Sequence, residues 1–285
     1  MRRNVLPILF LFFVLYPVSW ASLRKSTTLS KTYELTPLLE NCAGYCEKLS
    51  HASLYFVCIE EVNETINTII YPSKKRLMGL DSSIHFRTRP IEKNQFVYDY
   101  QLIRKDGAID EKRILLKEGK KEVNERNAPL KTKRFTYKYV IFGPIGLLSR
   151  KAQLNHTYKV INEEKYKGQP VLVIRVTPIE KQKVKHLYGD VWIRKKDFAI
   201  LKIEWNQQSL KNFELMRQEA KQYHAEPRTV LVSEYNYEHK GILFPNKYSI
   251  KEMYYFKSDP GRVVKSKIEV NYRNYKFFTV ETDIK

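Results

Sequence analysis

Long apolar runs are scarce in this chain of 285 residues. The one clear case, Pro7 to Val18, sits behind Arg2 and Arg3 and ahead of Ser19-Trp20-Ala21. A positive start, a short apolar stretch and a small-x-small site predict a secretory signal peptide over residues 1–21. The run is too short and too early for a comfortable membrane span. A soluble exported protein is expected after cleavage at Ala21, and a retained anchor is the alternative. Catalytic signatures are also missing. There is no H-E-x-x-H, no G-x-S-x-G and no phosphate-binding glycine loop. The six histidines are scattered without ligand spacing, so no cofactor or metal is implied. Glycine is sparse, at 10 residues, and few helical patterns appear. That combination fits long strands joined by polar turns. No internal repeat and no low-complexity linker divides residues 22–285, which are expected to form a single domain.

Cysteine is limited to Cys42, Cys46 and Cys58. An oxidising compartment permits one disulfide. Cys42 and Cys46 lie one helical turn apart with near-parallel Cβ vectors, a poor geometry for a bridge. The expected pair is Cys46 with Cys58, with Cys42 left as a small core residue. Zinc is weakly supported, because no paired histidine lies nearby.

Positive charge is abundant. The formal net charge is +20, spread over Lys74-Lys75-Arg76, Lys120-Lys121, Lys131-Thr132-Lys133-Arg134 and Lys181 to Lys185. Export argues against nucleic acid as the partner. An anionic envelope surface is one reading. The other is that these side chains solvate loops and strand edges.

Tyrosine (20) and phenylalanine (14) are also plentiful, as suits half-buried sheet surfaces. The stretch from Gly168 to Trp205 shows the pattern most clearly. Val171 to Thr177 is rich in β-branched residues. Asp190 to Arg194 and Phe198 to Trp205 flank the turn Lys195-Lys196-Asp197. In the last of these, Leu201, Ile203 and Trp205 alternate with Lys202 and Glu204, the period of a strand with one covered face. Further strands are expected over Leu54–Tyr71 with a bulge near Glu60-Glu61, Ser82–Arg89, Phe96–Arg104, Ile109–Lys117, Phe135–Phe142, Tyr158–Glu164, Thr229–Glu238, Tyr248–Phe256, Val263–Tyr272 and Tyr275–Ile284. Glu60-Glu61 and Glu163-Glu164 are adjacent in strands and are expected to be solvated. Helices are expected from Thr36-Pro37 to Leu49 and over Ser209–His224. Gly143-Pro144-Ile145-Gly146-Leu147-Leu148 is apolar but broken by Gly and Pro, so it is expected as an irregular loop. The fold class is mainly β with some α. A strongly curved antiparallel sheet, or incomplete β-barrel, of about ten or more strands would carry two covering helices.

Three segments carry a family resemblance. Tyr188-Gly189-Asp190-Val191-Trp192-Ile193-Arg194 with Ala199-Ile200-Leu201-Lys202-Ile203-Glu204 resembles a G-x-(V/I)-W-(I/V)-D … (I/V)-x-(R/K)-x-E hairpin, with Arg194 in place of the usual acid. Gly241-Ile242-Leu243-Phe244-Pro245 is similar to a G-(I/V/L)-x-(F/L)-P hairpin. Asn271 to Phe278 looks like a closing strand. All three are features of the LolA/LolB-like superfamily of periplasmic lipoprotein carriers, whose relatives include the RseB amino-terminal domain and LppX. The chain is longer than a minimal carrier, chiefly between Ser82 and Asn155. The resemblance implies a half-barrel that binds acyl chains and performs no catalysis.

The candidate acyl-chain residues are Leu201, Ile203 and Trp205 on one strand face, Trp192 on a neighbouring strand, and Phe142, Ile145, Leu147 and Leu148 on the apolar loop. Ordinary core packing is the competing account of each. Three functions stay open: a monomeric carrier of lipid acyl chains or lipoproteins, an envelope scaffold or stress sensor binding a protein partner, and an enzyme acting on an envelope polymer.

Overall fold

The computed structural model describes residues 34–70, 87–105, 108–179, 187–210, 213–256 and 262–278. The expected signal peptide, the runs Lys74–Arg76 and Lys181–Lys185, and the end of the last expected strand lie outside the described residues.

Eleven antiparallel strands form one open, curved sheet. They are β1 Phe56–Ile70, β2 Arg87–Lys105, β3 Ala108–Glu118, β4 Lys121–Arg126, β5 His156–Tyr166, β6 Gln169–Pro178, β7 Gly189–Arg194, β8 Ile200–Trp205, β9 Ala225–His239, β10 Ile242–Phe256 and β11 Arg262–Phe277. Their order is β4-β3-β2-β1-β11-β10-β9-β8-β7-β6-β5. Two meanders are therefore stitched together where β1 pairs with β11. The sheet is a half-barrel, as expected from the alternation, with β4 and β5 as its two edges.

Four helices lie among the described residues: α1 Leu35–Ala52, α2 Gly143–Leu148, α3 Arg150–Gln153 and α4 Phe213–Gln222. The apolar stripe of α1 buries Leu38, Cys42, Tyr45, Cys46 and Leu49. Tyr45 fixes it to the β9–β10 end of the sheet, its hydroxyl accepting from the Leu243 N–H at 2.9 Å. At the far end, α4 sets Ala220 into a cluster with Ile69, Tyr254, Phe256 and Val263.

The topology explains what crosses the covered face. β4 and β5 are consecutive in the chain yet occupy opposite edges. Ten strand spacings of about 4.8 Å separate them along the sheet. The connection over residues 127–155 traverses that distance. It runs as an extended strap, then a 3-10 turn at Val140–Phe142, then α2 and α3.

Several expectations are corrected here. Gly143 to Leu148 is a helix, because Pro144 is placed where a first helical turn accepts it. Phe135 to Phe142 is not a sheet strand. Its period-two pattern survives, with Phe135 and Tyr137 buried, but side-chain carboxylates replace a neighbouring strand as hydrogen-bond partners. On β1 the residues that face inward are Phe56, Cys58, Glu60, Val62 and Glu64. The bulge lies on the partner strand, where β11 gains residues at Asn274-Tyr275 between the pairs Ile59–Arg273 and Val57–Lys276. Arg87–Arg89, the described end of the strand expected over Ser82–Arg89, and the strand expected over Phe96–Arg104 belong to one long β2. A register shift of β1 against β2 accommodates Pro90 and Ile91.

The expected disulfide is absent; all three cysteines are free and buried. Cys46 donates to the Pro144 carbonyl at 3.4 Å and so faces α2. Cys58 sits on the inner face of β1. Burial raises all three thiols, Cys42 to about 12.

Candidate functional site: a strapped concave face with an apolar cavity

The strap divides the covered face into two chemically different halves. Over β1–β3 and β10–β11 it is held by buried carboxylates. Glu64 accepts from the backbone N–H groups of Lys133 at 3.0 Å and Arg134 at 2.9 Å. Glu111 accepts from the Tyr139 N–H at 2.6 Å. Glu60 accepts from the Tyr137 hydroxyl at 3.2 Å and from Tyr272 at 3.1 Å. These contacts satisfy an extended chain that has no ladder of its own.

Arginine side chains pair with Glu60, Glu111 and Glu252. Arg113, on β3, forks onto Glu60 through Nε at 2.6 Å and Nη2 at 3.2 Å, and it also reaches Glu111 at 3.0 Å. Its guanidinium lies 5.0 Å from the Tyr100 ring centroid. Burial pushes the Arg113 pKa down, but the Glu60 and Glu111 carboxylates more than reverse this and hold it above its usual value. Arg134, on the strap, forks onto Glu252 at 2.8 and 2.6 Å. It also meets Glu219 of α4 at 2.5 Å. Ser266 and Tyr254 donate to the same Glu252 carboxylate at 2.8 and 3.0 Å. The expectation of a solvated Glu60-Glu61 pair is therefore corrected: Glu60 is 0% exposed, and Glu61 faces out to Arg273.

The other half is different. Between the strap and β8–β10 lies a cavity of about 750 Å³. Phe135, Tyr137, Phe142, Trp205, Tyr248 and Ile250 form much of its wall, with Leu187, Ser209 and Leu210 also lining it. Tyr137 and Tyr248 meet at 4.9 Å between ring centroids. Burial raises both phenols, so they line the cavity in the neutral form. The Trp205 indole N–H donates to Ser233 at 2.9 Å, leaving the ring to the cavity.

The helical turn is pinned very close to the sheet. A Cβ added to Gly143 would sit 2.5 Å from the Tyr235 hydroxyl and 3.0 Å from the Trp205 ring. Tyr235 in turn donates to the Val140 carbonyl at 2.8 Å. Glycine is needed there for a close approach of helix to strand.

Of the residues singled out from sequence, Phe142 and Trp205 line the cavity. Leu201 and Ile203 are buried on the same face of β8 as Trp205. Leu147 and Leu148 are fully buried in α2, which packs on α1. Ile145 is half-buried beside them. Trp192 lies on the opposite face of the sheet: its N–H donates to Glu164 at 2.7 Å and Lys202 stacks 3.8 Å from its ring. Tyr248, Ile250, Phe135 and Tyr137 were not singled out. Phe135 and Tyr137 carry the period-two spacing of a strand, the one local signal that marks their shared buried side.

The chain matches solved structures of LolA-superfamily proteins and their relatives. One is a putative outer membrane lipoprotein-sorting protein domain from Vibrio parahaemolyticus. It is 12% identical, with 86% of this chain and 95% of that chain covered and a TM-score of 0.35. Another is a LolA superfamily protein from Nitrosomonas europaea, 14% identical over 85% and 94% of the two chains, with a TM-score of 0.32. A third is a DUF1329 family protein from Desulfovibrio piger, 9% identical over 86% and 95%, at 0.35. No family profile and no curated protein matches the chain. The half-barrel assignment rests on strand order and register, independently of these likenesses. No helix among the described residues is long and apolar enough to cross a membrane.

Proposed function

We propose that this is an exported, non-catalytic carrier. It binds an acyl chain, free or attached to a lipoprotein, in the cavity between the strap and β8–β10. One observation supports the reading above the others: an apolar, aromatic-walled space of about 750 Å³ on the covered face of the half-barrel. That volume is in the range of roughly 300–1,000 Å³ typical of small-ligand pockets. Each methylene taken out of water contributes about 0.8 kcal/mol. A chain could therefore hold there by burial alone.

The test is native mass spectrometry of protein purified from an exporting host without detergent, followed by solvent extraction. We expect an acyl-chain mass that disappears in Phe142→Glu, with circular dichroism unchanged. In a Trp192→Phe background, Trp205 emission should shift when ligand enters, because its ring is in the wall. A clean apo mass that stays clean after incubation with phospholipids and lipopeptides would overturn the carrier reading.

A second reading has its own support. The strap already fills the half of the covered face over β1–β3, as a side-chain-filled scaffold or stress-sensor module would require. In that case the protein binds a protein partner and carries no lipid, and the apo mass is the expected result.

A further inference from the structure

We propose that the cavity takes an anionic single-chain amphiphile, a fatty-acid-like carboxylate, whose head is held by Lys138 at the cavity mouth. This rests on the reading of the cavity as an acyl-chain site. It adds the charge and the position of the head group.

Charge complementarity carries the argument. Of the sixteen described residues that line the cavity, Lys138 is the one with a side chain charged at neutral pH. No aspartate or glutamate is among these described residues. The tyrosines of the wall remain neutral, since burial raises Tyr137, Tyr139 and Tyr248. Two of the wall hydroxyls are already engaged: Ser209 donates to the Asn206 carbonyl at 2.6 Å and Ser233 accepts from Trp205.

Lys138 also differs from the other strap cations. Lys131 is paired with Glu118 and Glu125, Lys133 with Glu92, and Arg134 with Glu219 and Glu252. Lys138 is exposed and has no ion-pair or hydrogen-bond partner among the described residues. Tyr137 is turned to the buried carboxylate of Glu60, whereas Lys138 is exposed where it lines the cavity. A lysine in this position lays its methylene stem along apolar surface and keeps its ammonium in water. An amphiphile with its chain in the cavity would bring its carboxylate to that ammonium.

The test titrates the full chain with dodecanoate and with dodecanol at pH 8 and low salt, read by Trp205 emission. Lys138→Gln should weaken dodecanoate by up to about fivefold, the upper end for a solvent-exposed ion pair, and leave dodecanol unchanged. Lys138→Arg should restore dodecanoate binding, and added salt should shrink the difference. If Lys138→Gln leaves dodecanoate unchanged, or weakens acid and alcohol equally, the head-group assignment is wrong while the cavity reading stands. If the wild-type chain binds neither probe, both fall. Circular dichroism of the variants separates these outcomes from misfolding.

Discussion

The Arg113 guanidinium and the Glu60 carboxylate form a two-point ion pair inside the half-barrel, with side chains 6% and 0% exposed. Such a pair is a poor source of net stability, because desolvating both charges offsets their attraction. It is instead a strong determinant of register. A slip of β1 by one residue would place Glu60 in solvent and strand Arg113 in the interior.

Removing one member should therefore cost more than removing both. Arg113→Met or Glu60→Leu alone is expected to destabilise by about 3–5 kcal/mol. The double variant should recover a large part of that loss. Urea denaturation across the double-mutant cycle measures it, and strictly additive losses would contradict the coupling.

The strap latch should weaken in acid. Burial raises the Glu219 pKa, but Arg134 and Lys265 outweigh it and hold the group below its ordinary 4.5. A depressed carboxylate contributes stability that is present above the unfolded pKa and lost as pH falls through the folded one. The stability difference between wild type and Glu219→Gln should be full at pH 6 and shrink below about 4.5. Protection of the amides of residues 131–139, corrected for the intrinsic pH dependence of exchange, should fall over the same window, and a stability difference independent of pH would refute the linkage.

Gly143→Ala forces a Cβ to within 2.5 Å of the Tyr235 hydroxyl. A cost of about 1–3 kcal/mol is expected, as for other overpacked sites. In a Tyr235→Phe background the same substitution should cost less, because the clashing oxygen is gone. Thermal unfolding of the four proteins decides this; an unchanged increment would place the problem at the Trp205 ring.

The three thiols should behave as buried hydrophobes. Burial raises Cys42 to about 12 and also raises Cys46 and Cys58, so little thiolate exists at pH 8. Ellman's reagent should react slowly with folded protein and with all three thiols after unfolding in denaturant. Finding fewer than three under non-reducing conditions would show a bridge.

Much of the fold was legible in the chain itself. Alternation in Leu201, Ile203 and Trp205 fixed the covered face of β8, and the turn at Lys195-Lys196-Asp197 fixed its hairpin with β7. These are local signals, because side chains in a strand alternate with period two whatever lies above them. The apolar stripe from Leu38 to Leu49 gave α1 for the same reason. Where charged residues face inward, local patterning misleads. Glu60 and Glu64 follow the inward phase of β1, yet a reading that sends acids to solvent inverts that strand. Their partners, Arg113 and Arg134, lie 53 and 70 residues away. No short-range pattern contains that information. Likewise Phe135 and Tyr137 carry the spacing of a sheet strand. Only the positions of β4 and β5 at opposite edges dictate that this segment crosses the covered face as a strap. The sequence by itself therefore determined most of the strands, α1, the covered face of β8 and the mainly β class. The tertiary structure alone decided which carboxylates are buried, where the connection crosses and where a cavity remains, because these depend on pairings between residues far apart in the chain.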